Sequence, residues 1–126
     1  MSDQKWNAPN NTALIIVDVQ NGFCPGGNLA VPEGDEIIPQ VNELAEKFGI
    51  VIITQAFHPE GHASFASTHE REPMEQVWMK DGQIVGEIEE GKTKAEDAPV
   101  QGAIVQTLWP DHCIQGSDDA RLAEGL

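Results

Sequence analysis

Four side chains have types and spacings that suit chemistry: Asp18, His58, His62 and His112. Asp18 closes the apolar run Ala13-Leu14-Ile15-Ile16-Val17 and precedes Val19-Gln20-Asn21-Gly22. A carboxylate at the edge of an apolar core loses hydration and engages a proton, a cation or a hydrogen-bond donor more readily. The plainer reading is an Asp that only caps the following turn, and the residues leave both open. Neutral imidazoles suit Zn, Fe, Mn, Ni or Cu, and three of them leave room for water or a substrate atom. The plainer reading here is three surface or capping histidines. No HxH or HExxH pattern fixes their geometry. His69, between Thr68 and Glu70, is assigned to that plainer class. Phe23 and Trp109 could wall a small flat ligand near Asp18, or simply fill core.

The elements around these residues read as α/β. Residues 13–19 form a short, β-branched apolar run ended by turn residues, the pattern of a strand buried on both faces of a parallel sheet. Asp18 then falls at the strand's carboxyl end, where open α/β sheets place ligands. Residues 21–28 (NGFCPGGN) are a Gly/Pro-dense loop. Residues 34–48 carry Ile37, Ile38, Val41, Leu44, Ala45 and Phe48 on one helical face, with Pro39 in the first turn and Gly49 as the stop. Residues 50–54 (IVIIT) repeat the buried-strand pattern, so the two strands and the helix make a parallel crossover unit. Both strand ends point to one sheet edge, and His58 and His62 follow there in a Pro/Gly loop. Residues 63–76 are polar and irregular. Asp81-Gly82 joins residues 77–80 to 83–88 as a hairpin. Residues 87–97 are a charged, solvated loop. Ser117 has the place of an N-cap, and residues 120–126 begin a helix.

Composition excludes several partners. The 126 residues include 7 Lys and Arg against 21 Asp and Glu, for a net charge of −14. That surface repels phosphate backbones and anionic lipid, so neither nucleic acid nor membrane is expected as a partner. Residues 1–11 are a polar lead-in without a signal-peptide apolar region. Cys24 and Cys113 make no disulfide framework, and a cytoplasmic, reducing compartment is expected.

Three segments together are recognisable. Residues 12–31 (TALIIVDVQNGFCPGGNLAV), 54–67 (TQAFHPEGHASFAS) and 107–117 (TLWPDHCIQGS) resemble, in this order, the nicotinamidase/pyrazinamidase family of isochorismatase-like cysteine hydrolases. The resemblance covers residues 12–68 and 107–126. It implies one three-layer α/β/α domain with a parallel sheet, of which residues 1–126 are the N-terminal part, apparently cut after the first half. Residues 70–106 are longer than the usual family connection, and 72–106 read as a hairpin-containing insertion. The implied reaction is hydrolysis of nicotinamide to nicotinate and ammonia, within pyridine nucleotide metabolism, through a cysteine thioester. Nicotinamide and pyrazinamide are not separable here, since both present a carboxamide on a flat nitrogen ring.

The resemblance also assigns roles. Asp18 matches the general base that generates the thiolate. His58 and His112 match ligands of a divalent metal (Zn, Fe or Mn) that holds the ring nitrogen, and His62 matches a ligand found in some members. Phe23 and Trp109 match the aromatic walls of the ring. Two departures stand out. Ala56 occupies the position of the family's anionic metal ligand, an Asp two residues before the first His, which weakens the implied site. The supporting Lys and nucleophilic Cys lie further along the family chain than Leu126; Cys24 and Cys113 match neither and read as structural. Rival readings are a non-catalytic remnant or pyridine-ring binding module, and another isochorismatase-like hydrolase. A partial sheet would expose apolar faces and an unpaired edge, so residues 1–126 alone are expected to be partly unfolded or associated, as a homo-oligomer or with a second chain completing the fold.

Overall fold

The computed structural model describes residues 6–126; the first five residues of the expected lead-in lie outside the described residues. The chain divides into two compact units, Met1–Phe57 with Cys113–Leu126, and His58–His112.

In the first unit, β1 (Ala13–Val17) pairs in parallel with β2 (Ile50–Thr54), in register from Ala13 opposite Ile50 to Val17 opposite Thr54. The parallel pairing is as expected, but β1 ends two residues early because Asp18 turns into the left-handed region, φ 54°. The expected helix divides in two. Residues Gly34–Ile37 form a 3-10 turn, and α1 (Ile38–Ala45) begins where Pro39, lacking an N–H, has no helical bond to lose. α1 stops before Gly49 because its last turn tightens, with the Lys47 N–H donating to the Leu44 carbonyl at 2.9 Å. The Lys47 carbonyl then accepts the Ala8 N–H at 2.8 Å, and Trp6 meets the Phe48 ring edge-on, so residues 6–8 are tied down rather than loose.

The strands are not buried on both faces. Ile16, Val19, Cys24, Ile38 and Ala123 form the unit's core, with Leu14, Val41 and Leu126 packed against it. Ile15 and Val17 are 58% and 65% exposed, and all four apolar residues of β2 are exposed. The reason is coverage: α1 lies on the Ile16 side of β1, and among the described residues no second helix covers β2. The expected C-terminal helix is also absent. Asp118–Ala120 is one 3-10 turn, and the Ser117 hydroxyl donates to the Ile114 carbonyl at 2.6 Å instead of capping it.

The second unit is built on an antiparallel sheet in the order β4-β3-β5: β3 (Gln76–Lys80), β4 (Gln83–Glu87) and β5 (Ile104–Thr107). Asp81 and Gly82 both have positive φ, 51° and 77°, the turn that matches strand twist in a two-residue hairpin. Ala66, Val77, Met79 and Leu108 form a separate core. β5 was not expected; its signal was the short run Ala103-Ile104-Val105 after Gly102. Residues 63–76 include a 3-10 turn at Ala66–His69. The charged stretch 87–97 is largely exposed, as expected, and includes a 3-10 turn at Ala95–Asp97.

Candidate functional site

The first unit presents Asp18 at the carboxyl end of β1, half-buried. Its N–H donates to the Thr54 carbonyl at 3.2 Å and lies 3.1 Å from Thr54 Oγ1. The Thr54 hydroxyl in turn donates to Asp18 Oδ1 at 2.7 Å. Asp18 and Phe23 line one cleft of about 510 Å³ whose other walls include Val19, Cys24, Val31 and Ile37. A carboxylate at the rim of a mostly apolar cleft with an aromatic wall can bind a small ring and handle a proton.

The loop carrying Phe23 is shaped by close backbone approach. A Cβ on Gly27 would lie 2.2 Å from the Asn21 carbonyl oxygen, so only glycine fits. Gln20 is fully buried. Its Oε1 accepts the Ala56 N–H at 2.8 Å, and its Nε2 donates to the carbonyls of Ala56 and Ala120 at 2.9 and 2.8 Å. Asp119 serves a second loop junction: Oδ2 accepts the Cys113 N–H at 2.7 Å and Oδ1 the Asn28 N–H at 3.0 Å.

Both cysteines are buried and outside any disulfide, and the Cys113 thiol donates to the Asp119 carbonyl at 3.5 Å. Burial, with a smaller contribution from Asp35, pushes the Cys24 thiol up. Burial, then the carboxylates of Asp119 and Asp18, push Cys113 up to about 11. A thiol held protonated is a poor nucleophile.

The second unit gathers three histidines. The His58 ring centroid lies 4.8 Å from that of His62 and 4.7 Å from that of His112. Phe65, fully buried, touches all three rings at centroid distances of 5.2, 5.6 and 5.5 Å. Each Nδ1 has a local partner: the His112 carbonyl for His58 at 3.1 Å, the Ser64 hydroxyl for His62 at 2.7 Å, and the Pro110 carbonyl for His112 at 2.7 Å. Burial, and then the neighbouring imidazoles, hold His62 below the ordinary histidine range. Trp109 is half-buried beside them, its backbone bridged to residues 64 and 66 by two 2.8 Å bonds. His69 is apart from the cluster, with Nε2 2.7 Å from the Ala63 carbonyl. Among the described residues, no group of three or more His, Cys, Asp or Glu side chains is arranged so that it could hold a metal ion.

Of the expected site residues, the structure therefore joins Asp18 with Phe23 in one unit and His58, His62 and His112 in the other. Ala56 sits in the first, its side chain a methyl and its backbone held by Gln20. Sequence reasoning missed Thr54, Gln20, Phe65 and Asp119. For Thr54 a signal existed, a hydroxyl residue ending the strand that pairs with the one before Asp18.

An isochorismatase domain model matches residues 12–126. The chain belongs to the isochorismatase family. This isochorismatase-family chain is 41% identical, over its whole length and 49% of the relative's, to a nicotinamidase of Acinetobacter baylyi. It superposes on a nicotinamidase/pyrazinamidase of Acinetobacter baumanii with a TM-score of 0.72 and 43% identity, covering 94% of this chain and 47% of that one. It also resembles a Pyrococcus horikoshii pyrazinamidase solved in complex with zinc, with a TM-score of 0.52 and 35% identity over 88% of this chain and 44% of that one. The isochorismatase-like α/β fold expected from the sequence thus stands. The chain spans about half the length of the relatives it matches. Among its described residues no helix is long and apolar enough to cross a membrane.

Proposed function

We propose that the protein is an amidohydrolase converting nicotinamide, and also pyrazinamide, to the corresponding acid and ammonia. The observation that carries this reading is the His58, His62 and His112 cluster in a chain 41% identical throughout to a nicotinamidase. Asp18 is the base that takes the proton of an attacking thiol. Phe23 and Trp109 are the flat surfaces offered to the pyridine ring. The raised Cys24 and Cys113 thiols stay protonated and serve packing; neither is the nucleophile of this reading.

The donor chemistry of the histidines fits a divalent ion such as zinc, iron or manganese: three imidazoles, with His62 biased to its neutral form. The local partners on all three Nδ1 atoms are of the kind that give outer-sphere support to a histidine that ligates through Nε2. His58, His62 and His112 would hold the ion, which would supply Lewis acidity toward a ring nitrogen. Ala56 contributes no ligand atom, so imidazoles alone would hold the ion, more weakly than a set with a carboxylate.

Residues 72–106 are, in this reading, an insertion. Three strands that form a sheet of their own support it. The two buried cysteines, outside any disulfide, support a cytoplasmic location. The small-molecule substrate is the principal partner, and the exposed apolar strands support self-association or a second chain completing the fold.

The test is ammonia release from nicotinamide and pyrazinamide by the full-length gene product, with and without a chelator. Release that Asp18→Asn abolishes supports the reading. Nicotinamide binding without release assigns a ring-binding module instead. Neither binding nor release points to another isochorismatase-like hydrolase and overturns the proposal.

A further inference from the structure

Asp18 combines two features that its role in a reaction would need explained. It is a non-glycine residue in the left-handed region, and it stands one step past the last rung of the parallel ladder, where Val17 faces Thr54. The Asp18 N–H still reaches the Thr54 carbonyl at 3.2 Å, but nothing in the ladder defines the direction of the carboxylate. The structure shows one side chain doing so. Thr54 Oγ1 lies 3.1 Å from the Asp18 N–H as acceptor and 2.7 Å from Oδ1 as donor. One hydroxyl thus grips the main chain and the carboxylate of the same residue, and closes off rotation about the Asp18 side chain. A Thr hydroxyl has a single proton to give. Given to Oδ1, it lowers the proton affinity of that oxygen relative to Oδ2, in a residue that lines the same cleft as Phe23.

We propose that Thr54 is a positioning residue for the hydrolysis, locking the Asp18 carboxylate so that Oδ2 is the oxygen that receives the thiol proton. This rests on the amidohydrolase reading above. Thr54 touches no reacting atom; it acts through Asp18. β-branching is not what the role requires, because Val would preserve the strand and the volume while removing the hydroxyl.

The experiment compares wild type, Thr54→Val and Thr54→Ser as full-length enzymes, with nicotinamide kinetics, thermal melting and the ¹³C shift of the Asp18 carboxyl. Thr54→Val is expected to lower kcat about 10- to 100-fold with KM within about twofold, because a slightly misplaced base fails in the reaction rather than in binding. Thr54→Ser is expected to keep kcat within about threefold of wild type. A merely structural role would lower the melting temperature of Thr54→Val and leave kcat of the folded enzyme intact, which overturns the proposal. So does a folded Thr54→Ser enzyme as slow as Thr54→Val. If Thr54→Val fails to fold, Thr54→Ser decides against wild type: kcat within about threefold supports the proposal, and a folded enzyme about tenfold slower or more overturns it. If wild type releases no ammonia, the amidohydrolase reading falls separately, and the Asp18 carboxyl shift decides: unchanged in Thr54→Val, it overturns the lock.

Discussion

Gln20 holds both backbone groups of Ala56, the N–H at 2.8 Å through Oε1 and the carbonyl at 2.9 Å through Nε2. The amide is fully buried, and its second Nε2 proton goes to Ala120. A primary amide is the one neutral side-chain group that can donate and accept in this way, because it copies the peptide it faces. The residue thereby fixes the path of the chain as it leaves β2 toward His58.

Gln20→Ala should therefore destabilise the first unit by about 1–3 kcal/mol, since Ala56 is left with a part-buried N–H and carbonyl without their partner. Ala120 is partly protected, because Gln55 Nε2 also donates to its carbonyl at 2.9 Å. Gln20→Glu should fail as well: a carboxylate keeps the bond to the Ala56 N–H but faces two carbonyls it cannot serve. Urea unfolding of the two variants measures this, and a Gln20→Glu protein as stable as wild type would count against it.

Gly22→Ala is expected to cost about 1–3 kcal/mol through overpacking. The new Cβ would lie 2.5 Å from Asp119 Oδ2 and 2.7 Å from Cys113 Sγ. Neither neighbour can retreat cheaply, because Asp119 Oδ2 is bound to the Cys113 N–H. Thermal melts of Gly22→Ala with and without Asp119→Ala check the cause: the second change should recover part of the loss.

Arg71 ties the second unit together electrostatically. Its guanidinium bonds Glu75 at 3.0 Å and grips Glu87 with both terminal nitrogens. The hydrogen bond from Arg71 holds the Glu87 carboxyl below the ordinary glutamate range. A depressed carboxylate contributes stability that is fully present above its unfolded pKa, about 4.3. That contribution disappears as pH falls through the lower folded value. The pair is exposed, so the contribution is modest and salt-screened. The melting difference between wild type and Glu87→Gln should be present at pH 7, shrink in high salt and disappear as pH falls through the lowered Glu87 value. A difference that persists in acid would refute the assignment.

Zinc binding, followed by calorimetry, should fall by at least about tenfold in His58→Ala and in His112→Ala, the two residues expected as ligands from the family pattern. His69→Ala should bind as wild type does, because its ring lies outside the cluster. Equal loss in all three variants would mean that the metal is held elsewhere.

Much of this was legible in residue order. The parallel pair, the Asp81-Gly82 hairpin and the grouping of His58, His62 and His112 follow from patterns that are local, or from motif segments. Burial was not legible. The run Ile50-Val51-Ile52-Ile53 states that a strand wants cover on both faces, but whether cover is present depends on other elements, and here those side chains are exposed. The C-terminal helix failed for a related reason: Ala120 and Ala123 have helical spacing, yet they are buried under competing bonds, with the Ala123 N–H donating to the Val19 carbonyl at 3.0 Å. Thr54 and Gln20 were missed because their partners are far along the chain: Asp18 for Thr54 and Ala56 for Gln20 are 36 residues away, and Ala120 is 100 from Gln20. β5 was too short to stand out beside its charged neighbours.

The two units differ in how the chain visits them. Residues 58–112 form one uninterrupted segment, whereas the other unit is completed by residues from both sides of it, as in the bond from Gln20 to Ala120 across 100 positions. During synthesis the histidine-bearing segment can therefore finish its own contacts while the unit that holds Asp18 still waits for its last residues. Closing that long loop carries an entropic cost that grows only slowly with length, and a middle segment that has already folded shortens the effective span. The connectivity thus lets the histidine-bearing segment close before the unit that holds the carboxylate cleft.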